Sequence, residues 1–224
     1  MIAKHLALLL DAPLQSWGHQ SRFDQRTSLA YPTRSAMIGL LAAAMGIDRQ
    51  DTKGLQEFSD LEMTSYTFCQ GPLLEDFHTI GGGWDKKKNP QHLVVKFDGK
   101  PGNKGKPGDT VVSRRQYLQE TCFGVILKAP AGLAEKIAAA LANPRWGIWL
   151  GRKSCIPASP VLQGIFATHE EALESLASHE RLVGKKPLRV VREVADFDQG
   201  TDTLMDNPLD FGRRLFAPRR IAVE

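Results

Sequence analysis

One segment, residues 32–47, predicts a buried helix whose start and end are both specified by residue type. Thr33 or Ser35 can cap the free amides of the first turn, and Gly46 can end the helix in a left-handed conformation. The residues between them are apolar almost all the way round, which is typical of a helix inside a core. Gly39 lies in the middle of the helix and predicts the close approach of another backbone.

Arg34 stands at the start of this helix, where the helix dipole and the unpaired amides favour an anion. Two interpretations follow. In the first, Arg34 binds a phosphate group together with Ser35. In the second, Arg34 is half of a structural ion pair. The residues by themselves leave both interpretations open.

The charge of the chain is strongly segregated. Residues 85–115 carry nine Lys and Arg against three Asp and Glu, a net charge of +6, whereas the whole chain of 224 residues carries +4. Residues 193–224 are acidic by contrast, with four Lys and Arg against seven Asp and Glu. Such asymmetry indicates a polyanionic partner that meets one part of the surface.

Composition also limits the compartment. The three cysteines are odd in number and far apart in sequence, which argues against a disulfide framework. No apolar run approaches the roughly 20 residues that span a bilayer. We therefore expect a cytoplasmic protein with no membrane partner.

The order of the elements predicts an α+β fold with a ferredoxin-like (RRM-like) core. The pattern is strand, helix, strand, strand, helix, strand. Its elements fall at residues 5–10, 33–46, 61–70, 121–128, 132–142 and 146–150. The core is predicted to end at residue 158, and residues 159–224 to form a small β-rich C-terminal region with a helix at 169–178, a strand at 188–194, an acidic loop and a strand at 219–223.

A basic β-hairpin is predicted as an insertion in this core, over residues 82–115. Two short strand-like runs, 93–97 and one starting at 110, flank a tip rich in Gly, Pro and Lys. Lysines on such a tip suit phosphate contact without sequence preference, and Trp84 at the base can stack on a nucleobase. The hairpin cations assigned to RNA binding are Lys86, Lys87, Lys88, Lys104, Lys106, Arg114 and Arg115.

Two other segments are candidates for nucleic-acid contact. A turn at Gly151 would place free amides beside Arg152 and Lys153, which suits a phosphate site or a surface salt bridge. Gln15 and Trp17 follow the first strand, and Trp17 is either a core residue or a platform on which a base stacks.

His78 and Tyr117 leave catalysis as an alternative. A histidine with a near-neutral pKa suits RNA cleavage, although a hydrogen-bonded structural histidine beside Asp76 is the simpler explanation of His78. Tyr117 could support such a reaction or only pack. No phosphate loop, dinucleotide-binding glycine motif, metal-ligand spacing or serine-nucleophile motif is present, so we expect no metal and no cofactor.

Five motifs in order carry a resemblance to one family. They are Gln15-x-Trp17-Gly18, Pro32-Thr33-Arg34-Ser35-x-x-x-Gly39-Leu40-Leu41 with Gly46-Ile47, Phe77-His78-Thr79, Arg115-x-Tyr117-Leu118, and Leu150-Gly151-Arg152-Lys153-Ser154-Cys155-x-Pro157. With them the chain resembles the CasD-type subunits of type I-E CRISPR Cascade complexes, which belong to the RAMP superfamily.

The resemblance implies an RRM-like core with a protruding thumb, mapped onto the basic hairpin. It also implies a non-catalytic subunit of an antiviral surveillance complex. Such a subunit holds the 5′ handle of the CRISPR RNA, caps the backbone filament, contacts the backbone and large subunits, and meets target DNA only through the complex. Arg34, Arg152 and Lys153 would then hold handle phosphates.

Two other functions stay open at this point. One is a metal-independent endoribonuclease that processes CRISPR precursor RNA, with His78 or Tyr117 at its centre. The other is an assembly protein whose cations meet acidic protein surfaces.

Overall fold

A computed structural model of the protein describes residues 2–19, 24–81 and 110–224. The described residues form helices α1 (Arg34–Met45), α2 (Thr52–Gln56), α3 (Ala131–Ala142) and α4 (His169–Ala177). Their strands are β1 (Ala3–Asp11), β2 (Leu14–Gln15), β3 (Gln25–Arg26), β4 (Glu62–Cys69), β5 (Leu73–Gly81), β6 (Thr110–Gln119), β7 (Cys122–Pro130), β8 (Leu162–Phe166), β9 (Arg189–Glu193), β10 (Asp202–Asp210) and β11 (Leu215–Val223). The predicted α+β class is confirmed.

The larger sheet has seven strands in the order β10-β11-β9-β4-β7-β1-β8, and every neighbouring pair is antiparallel. Strand β1 lies between β7 and β8. One of its faces, with Leu6 and Leu8, packs in the core that includes α1 and α3, while Ala7 and Leu9 pack beneath α4. Because both faces of β1 are covered, its sequence is a continuous apolar run instead of an alternating one.

Helix α1 forms where the sequence predicts it. The Thr33 side chain caps it by accepting a hydrogen bond from the amide of Ala36 at 3.2 Å, and Gly46 ends it with φ +73°. The prediction about Gly39 is wrong. The nearest atom to a Cβ at this position would be the Phe211 side chain at 3.8 Å, an ordinary contact and not a passing backbone.

The fourth strand of the predicted core lies elsewhere in the chain. Residues 146–150 form no strand. They lead instead into a turn in which the amide of Leu150 donates to the carbonyl of Cys155 at 2.8 Å. The strand beside β1 is β8, and β9 to β11 extend the same sheet on its other side. The sheet thus continues across the predicted boundary after residue 158, and the predicted acidic loop contains β10.

A smaller sheet contains a hairpin. Strand β5 pairs with β6 in antiparallel register from Leu73↔Leu118 to Gly81↔Thr110, and β2 and β3 pair with the other edge of β6. The structure pairs β6 with β5, whereas the hairpin prediction pairs β6 with the run at 93–97. The run itself lies outside the described residues. We call β5 and β6 the hairpin base.

No helix in the described ranges has the length and apolar character needed to cross a membrane.

Candidate nucleic-acid interface

Arg34 is buried, with 3% of its surface exposed. Its guanidinium donates to Glu193 Oε1 at 2.8 Å, to Asn207 Oδ1 at 3.0 Å and to the carbonyl of Phe58 at 3.1 Å, and it also binds the carbonyl of Leu61. These bonds use the donors that a phosphate would need. The predicted phosphate role of Arg34 is therefore wrong, and the alternative of a structural ion pair is correct.

A second arginine completes this group. Asp206 accepts the backbone amide of Arg34 at 2.8 Å and both Nε and Nη2 of Arg219, at 2.9 and 2.7 Å. Arg219 also reaches Glu193 Oε1 at 3.0 Å. Burial raises the pKa of Glu193 above its ordinary value, against the opposing effect of the two guanidinium groups. We call Arg34, Glu193, Asp206, Asn207 and Arg219 the Arg34 cluster.

The cluster explains what the helix start binds. The N-terminus of α1 does attract an anion, and that anion is the carboxylate of Asp206 within the same chain. The half-buried Ser35 shares a hydrogen bond with Thr33, with 3.3 Å between the two hydroxyl oxygens. The geometry therefore gives no support to the predicted phosphate contact at Ser35.

Gln15 and Trp17 are core residues, and their predicted contact with RNA is wrong. Both are fully buried. The Gln15 side-chain amide donates to the carbonyl of Leu10 at 3.0 Å and also to that of Thr121. The Trp17 ring packs edge-on against Phe123 with their centroids 6.2 Å apart. The core alternative for Trp17 is the correct one.

The turn at Gly151 is held against the segment after β2. Gly151 has φ +102°, and a Cβ there would lie 1.8 Å from the carbonyl oxygen of Ser16. The amide of Ser16 in turn donates to the carbonyl of Leu150 at 3.1 Å. Only glycine fits this backbone contact, so the turn that carries Arg152 and Lys153 has a fixed position.

Arg152 links two strands of the smaller sheet. Its guanidinium donates to the carbonyl of Gln116 in β6 at 2.9 Å and to the carbonyl of Arg26 in β3 at 2.8 Å. It also lies 4.6 Å from the centre of the Tyr117 ring. Lys153 is exposed, with its Nζ 5.7 Å from the Trp149 ring. Arg152 is therefore partly committed to the fold, whereas Lys153 faces solvent.

The hairpin base places a cation beside an exposed aromatic ring. Arg114 lies directly opposite Phe77 in the β5–β6 ladder, so the two side chains share a face of the sheet. Phe77 is 62% exposed, and the side chain of Arg114 is 55% exposed. Glu75 approaches Arg114 Nη1 at 3.5 Å, a surface pair that is worth little.

Arg115 points to the opposite face, where it lies across from Asp76 in β5 and Arg26 in β3. Its Nε donates to Ser113 Oγ at 3.0 Å. Together with Arg152 and Lys153, these side chains bring several cations to the sheet edge beside β3.

The two candidate catalytic residues, His78 and Tyr117, lie in β5 and β6. Tyr117 is buried, with its ring covered by Arg152. His78 is half-buried, lies opposite Ser113, and its Nδ1 makes no hydrogen bond to the described residues. The packing interpretation of Tyr117 is therefore the correct one.

The remaining predicted site residues cannot be placed. Trp84, Lys86, Lys87, Lys88, Lys104 and Lys106 lie outside the described residues. Among residues 2–19, 24–81 and 110–224, no three His, Cys, Asp or Glu side chains are grouped so as to hold a metal ion.

A family model with the description "CRISPR-associated protein (Cas_Cas5)" matches residues 5–223 of the chain. The chain belongs to this Cas5 family. The resemblance drawn from the five motifs is thereby confirmed, and the match includes the C-terminal strands that those motifs do not reach.

Similar proteins agree with the Cas5 assignment. The "CRISPR system Cascade subunit CasD" of Escherichia coli (strain K12) is 28% identical over 173 residues, which cover 71% of this chain and 70% of that protein. A solved chain titled "CRISPR RNA-guided surveillance complex" superimposes with a TM-score of 0.77 at 32% identity, over 98% of this chain and 89% of that one. Another, titled "Crystal structure of Cas protein", gives 0.68 at 29% identity, over 98% and 93%.

Within this Cas5 chain, the candidate site residues taken from the sequence did not include Phe77 and Arg26, which lie opposite Arg114 and Arg115. Phe77 had a signal in the alternation Glu75, Phe77, Thr79, which puts one apolar residue on an otherwise polar strand face. Arg26 had no such signal in the sequence, because the two-residue strand β3 pairs with β6, a strand that is distant in the chain.

Proposed function

We propose that this chain is a non-catalytic, RNA-binding subunit of a Cascade-type CRISPR surveillance complex, where it holds the 5′ handle of the CRISPR RNA and caps the backbone filament. Its partners are the CRISPR RNA and the backbone and large subunits, with target DNA met through the assembled complex. The observation that carries the proposal is the pairing of Arg114 with the exposed ring of Phe77 on the hairpin base. The family and the structural similarity support it.

The architecture we assign is a ferredoxin-like core with a thumb. The order β4-β7-β1-β8, with α1 after β1 and α3 after β7, supports the core assignment. The hairpin base supports the thumb, because residues 82–109 connect its two strands.

The chemistry of the hairpin base suits single-stranded RNA. Proteins that bind single strands combine cations for the phosphates with aromatic rings on which bases stack. Arg114 would contact a phosphate while Phe77 stacks on a base. Arg26 and Arg115 add positive charge on the opposite face of the hairpin base, where Arg152 holds β3 to β6 and the exposed Lys153 follows it in the chain. The predicted hairpin lysines would add contacts that depend little on sequence.

Binding tests should separate the phosphate contact of Arg114 from the base stacking of Phe77. Arg114→Ala should weaken the binding of handle-bearing RNA by about three- to tenfold and reduce the slope of log K against log salt by about 1. Phe77→Ala should weaken binding by about tenfold without changing that slope, because a stacking contact releases no counterion. Lys136→Ala is the matched control, since it removes an exposed charge on α3, away from the hairpin base.

The proposal fails if the chain, alone or in its complex, binds scrambled RNA of the same length as tightly as handle-bearing RNA. It also fails if Lys136→Ala weakens binding as much as Arg114→Ala. Equal affinity for the two RNAs would instead favour the assembly protein whose cations meet acidic protein surfaces.

A cleavage assay addresses the endoribonuclease. Labelled repeat RNA incubated with the chain in EDTA should stay intact, because Tyr117 is covered by Arg152 and lacks access to substrate. Site-specific cleavage that disappears in His78→Ala would replace the binding-only function with metal-independent processing.

A further inference from the structure

Two cysteines lie where the hairpin base joins the larger sheet, a place that we call the neck of the hairpin. Cys69 is the last residue of β4 and Cys122 is the first residue of β7, and the two lie directly opposite each other in the larger sheet. The chain between them contains the whole hairpin, because β5 starts at Leu73 and β6 ends at Gln119. The sequence separation of the two cysteines hides this proximity.

A bulge gives the two side chains the same direction. Phe68 is the extra residue of β4, since Thr67 pairs with Phe123 while Cys69 pairs with Cys122. Cys69 therefore packs in the same apolar cluster as Cys122, under α4. Opposite residues in an antiparallel pair have Cα atoms about 4.5 to 5.5 Å apart, within the range of about 4.4 to 6.8 Å that disulfides span.

The two thiols differ in environment. Cys122 is fully buried, and burial raises the pKa of its thiol to about 12. Cys69 is half-buried, with the ammonium of Lys185 at 3.0 Å from its Sγ. An ammonium in this position can stabilise the negative charge that develops on the sulfur as it reacts. Cys69 is thus the thiol that an oxidant can reach, and Cys122 is protected behind it.

We propose that Cys69 and Cys122 are a reversible redox pair, in which Cys69 reacts with a hydroperoxide and Cys122 resolves the product into a cross-strand disulfide at the neck of the hairpin. The link would join β4 to β7 at the point where the hairpin leaves the larger sheet.

The chemistry needs only peroxide and a thiol reductant. With hydrogen peroxide as the hydroperoxide, the sulfur of Cys69 attacks one oxygen and the O–O bond breaks, which gives a sulfenic acid on Cys69 and one water. The sulfur of Cys122 then attacks the sulfur of Cys69, and the S–O bond breaks. The departing hydroxide takes the proton of the Cys122 thiol and leaves as a second water. Exchange with a small dithiol returns both cysteines to thiols.

The pair is independent of the proposed RNA function, since it rests only on the register of β4 and β7 and on Lys185. It can therefore be tested on the full-length chain without RNA or partner subunits, and its failure would leave the RNA proposal untouched.

The test is peroxide treatment followed by intact-mass measurement and peptide mapping without reductant. The wild-type chain should lose two hydrogen atoms and yield one cross-linked peptide that joins Cys69 to Cys122. Dithiothreitol should reverse the change. Cys69→Ser and Cys122→Ala should abolish the cross-link, whereas Cys155→Ser should keep it. Circular dichroism checks that each variant is folded. If Cys122→Ala does not fold, the Cys69→Ser variant alone tests the cross-link.

Lysine variants test the activation of Cys69. Lys185→Gln should slow disulfide formation several-fold, because the reacting sulfur of Cys69 loses the ammonium that lies 3.0 Å away. Lys186→Gln is the matched control, as it removes the adjacent exposed charge, and its rate should match that of the wild-type chain. The proposal is overturned by oxidation that stops at the sulfenic acid, by a cross-link that involves Cys155 or a second chain, or by equal rates in the two lysine variants.

Discussion

The Arg34 cluster and the hairpin base contain the same kinds of side chain in opposite settings. The side chains of Arg34 and Glu193 are 4% and 23% exposed, whereas those of Arg114 and Glu75 are 55% and 46% exposed. In the cluster, protein atoms satisfy the guanidinium, which leaves nothing for a ligand. At the hairpin base, one long ion pair leaves most donors in solvent. Burial and partners, and not the arginine itself, therefore decide which site can bind a phosphate.

The largest expected effect comes from the cluster. Arg34→Met should lower the free energy of unfolding by about 3 to 5 kcal/mol, because the largely buried carboxylate of Glu193 loses one of its two guanidinium partners and the buried carbonyl of Phe58 loses its donor. Denaturation in urea measures this change. A loss below about 1 kcal/mol would show that the cluster is no more important to stability than a surface pair and would remove the contrast between the two regions.

The pH dependence of stability should report Glu193. Because burial raises the pKa of Glu193, the folded chain keeps this proton to a higher pH than the unfolded chain. The free energy of unfolding should therefore fall as pH rises from the ordinary carboxyl pKa through the raised one. Urea titrations at pH values between the ordinary and the raised pKa measure this decrease. In Glu193→Gln the decrease should be absent. An unchanged slope would assign the titration to other groups.

Substitution of Arg152 should cost an amount of stability between those expected for Arg34 and for Arg114. Arg152→Lys should destabilise the fold by about 1 kcal/mol, since one ammonium cannot bind the carbonyls of Gln116 and Arg26 in the same geometry. Lys153→Arg, the neighbouring exposed position, is the control and should leave the thermal midpoint unchanged. Equal midpoints for both variants would mean that Arg152 does not hold β3 to β6.

The smallest effect on stability is expected at the hairpin base. Arg114→Ala should change the free energy of unfolding by less than about 0.5 kcal/mol, because Arg114 and Glu75 form only an exposed pair. The same variant should weaken RNA binding, so its phenotype is the reverse of Arg34→Met. A large loss of stability in Arg114→Ala would place this residue in the fold instead of the interface.

Local signals predicted much of the fold. The apolar run of β1, the cap and terminal glycine of α1, and the alanine-rich helix α3 all depend on neighbouring residues, and all three form where expected. Strand β10 was missed because Asp202, Asp206, Pro208 and Asp210 are typical of loops. It tolerates them because it is the edge strand of the sheet.

The candidate site was harder to predict than the fold. The side chains that bind Arg34, those of Glu193 and Asn207, lie 159 and 173 residues further along the chain, and no spacing rule connects them. The predicted stacking role of Trp17 was wrong for a similar reason, because its burial depends on the distant residue Phe123. Arg114 and Arg115 needed no distant partner, and they remain part of the proposed interface.

The residues of the Arg34 cluster are far apart in sequence, and this separation has a consequence for biosynthesis. Helix α1 emerges from the ribosome early, but Asp206, which neutralises its first turn, follows 172 residues later. At about 5 to 20 residues per second, the nascent chain waits roughly 10 to 30 seconds for that carboxylate. Until then the guanidinium of Arg34 can bind the carbonyls of Phe58 and Leu61 but lacks the carboxylate of Glu193, so the cluster is complete only as translation ends. A chain released after residue 158 would carry this arginine without its anions and be a substrate for proteases.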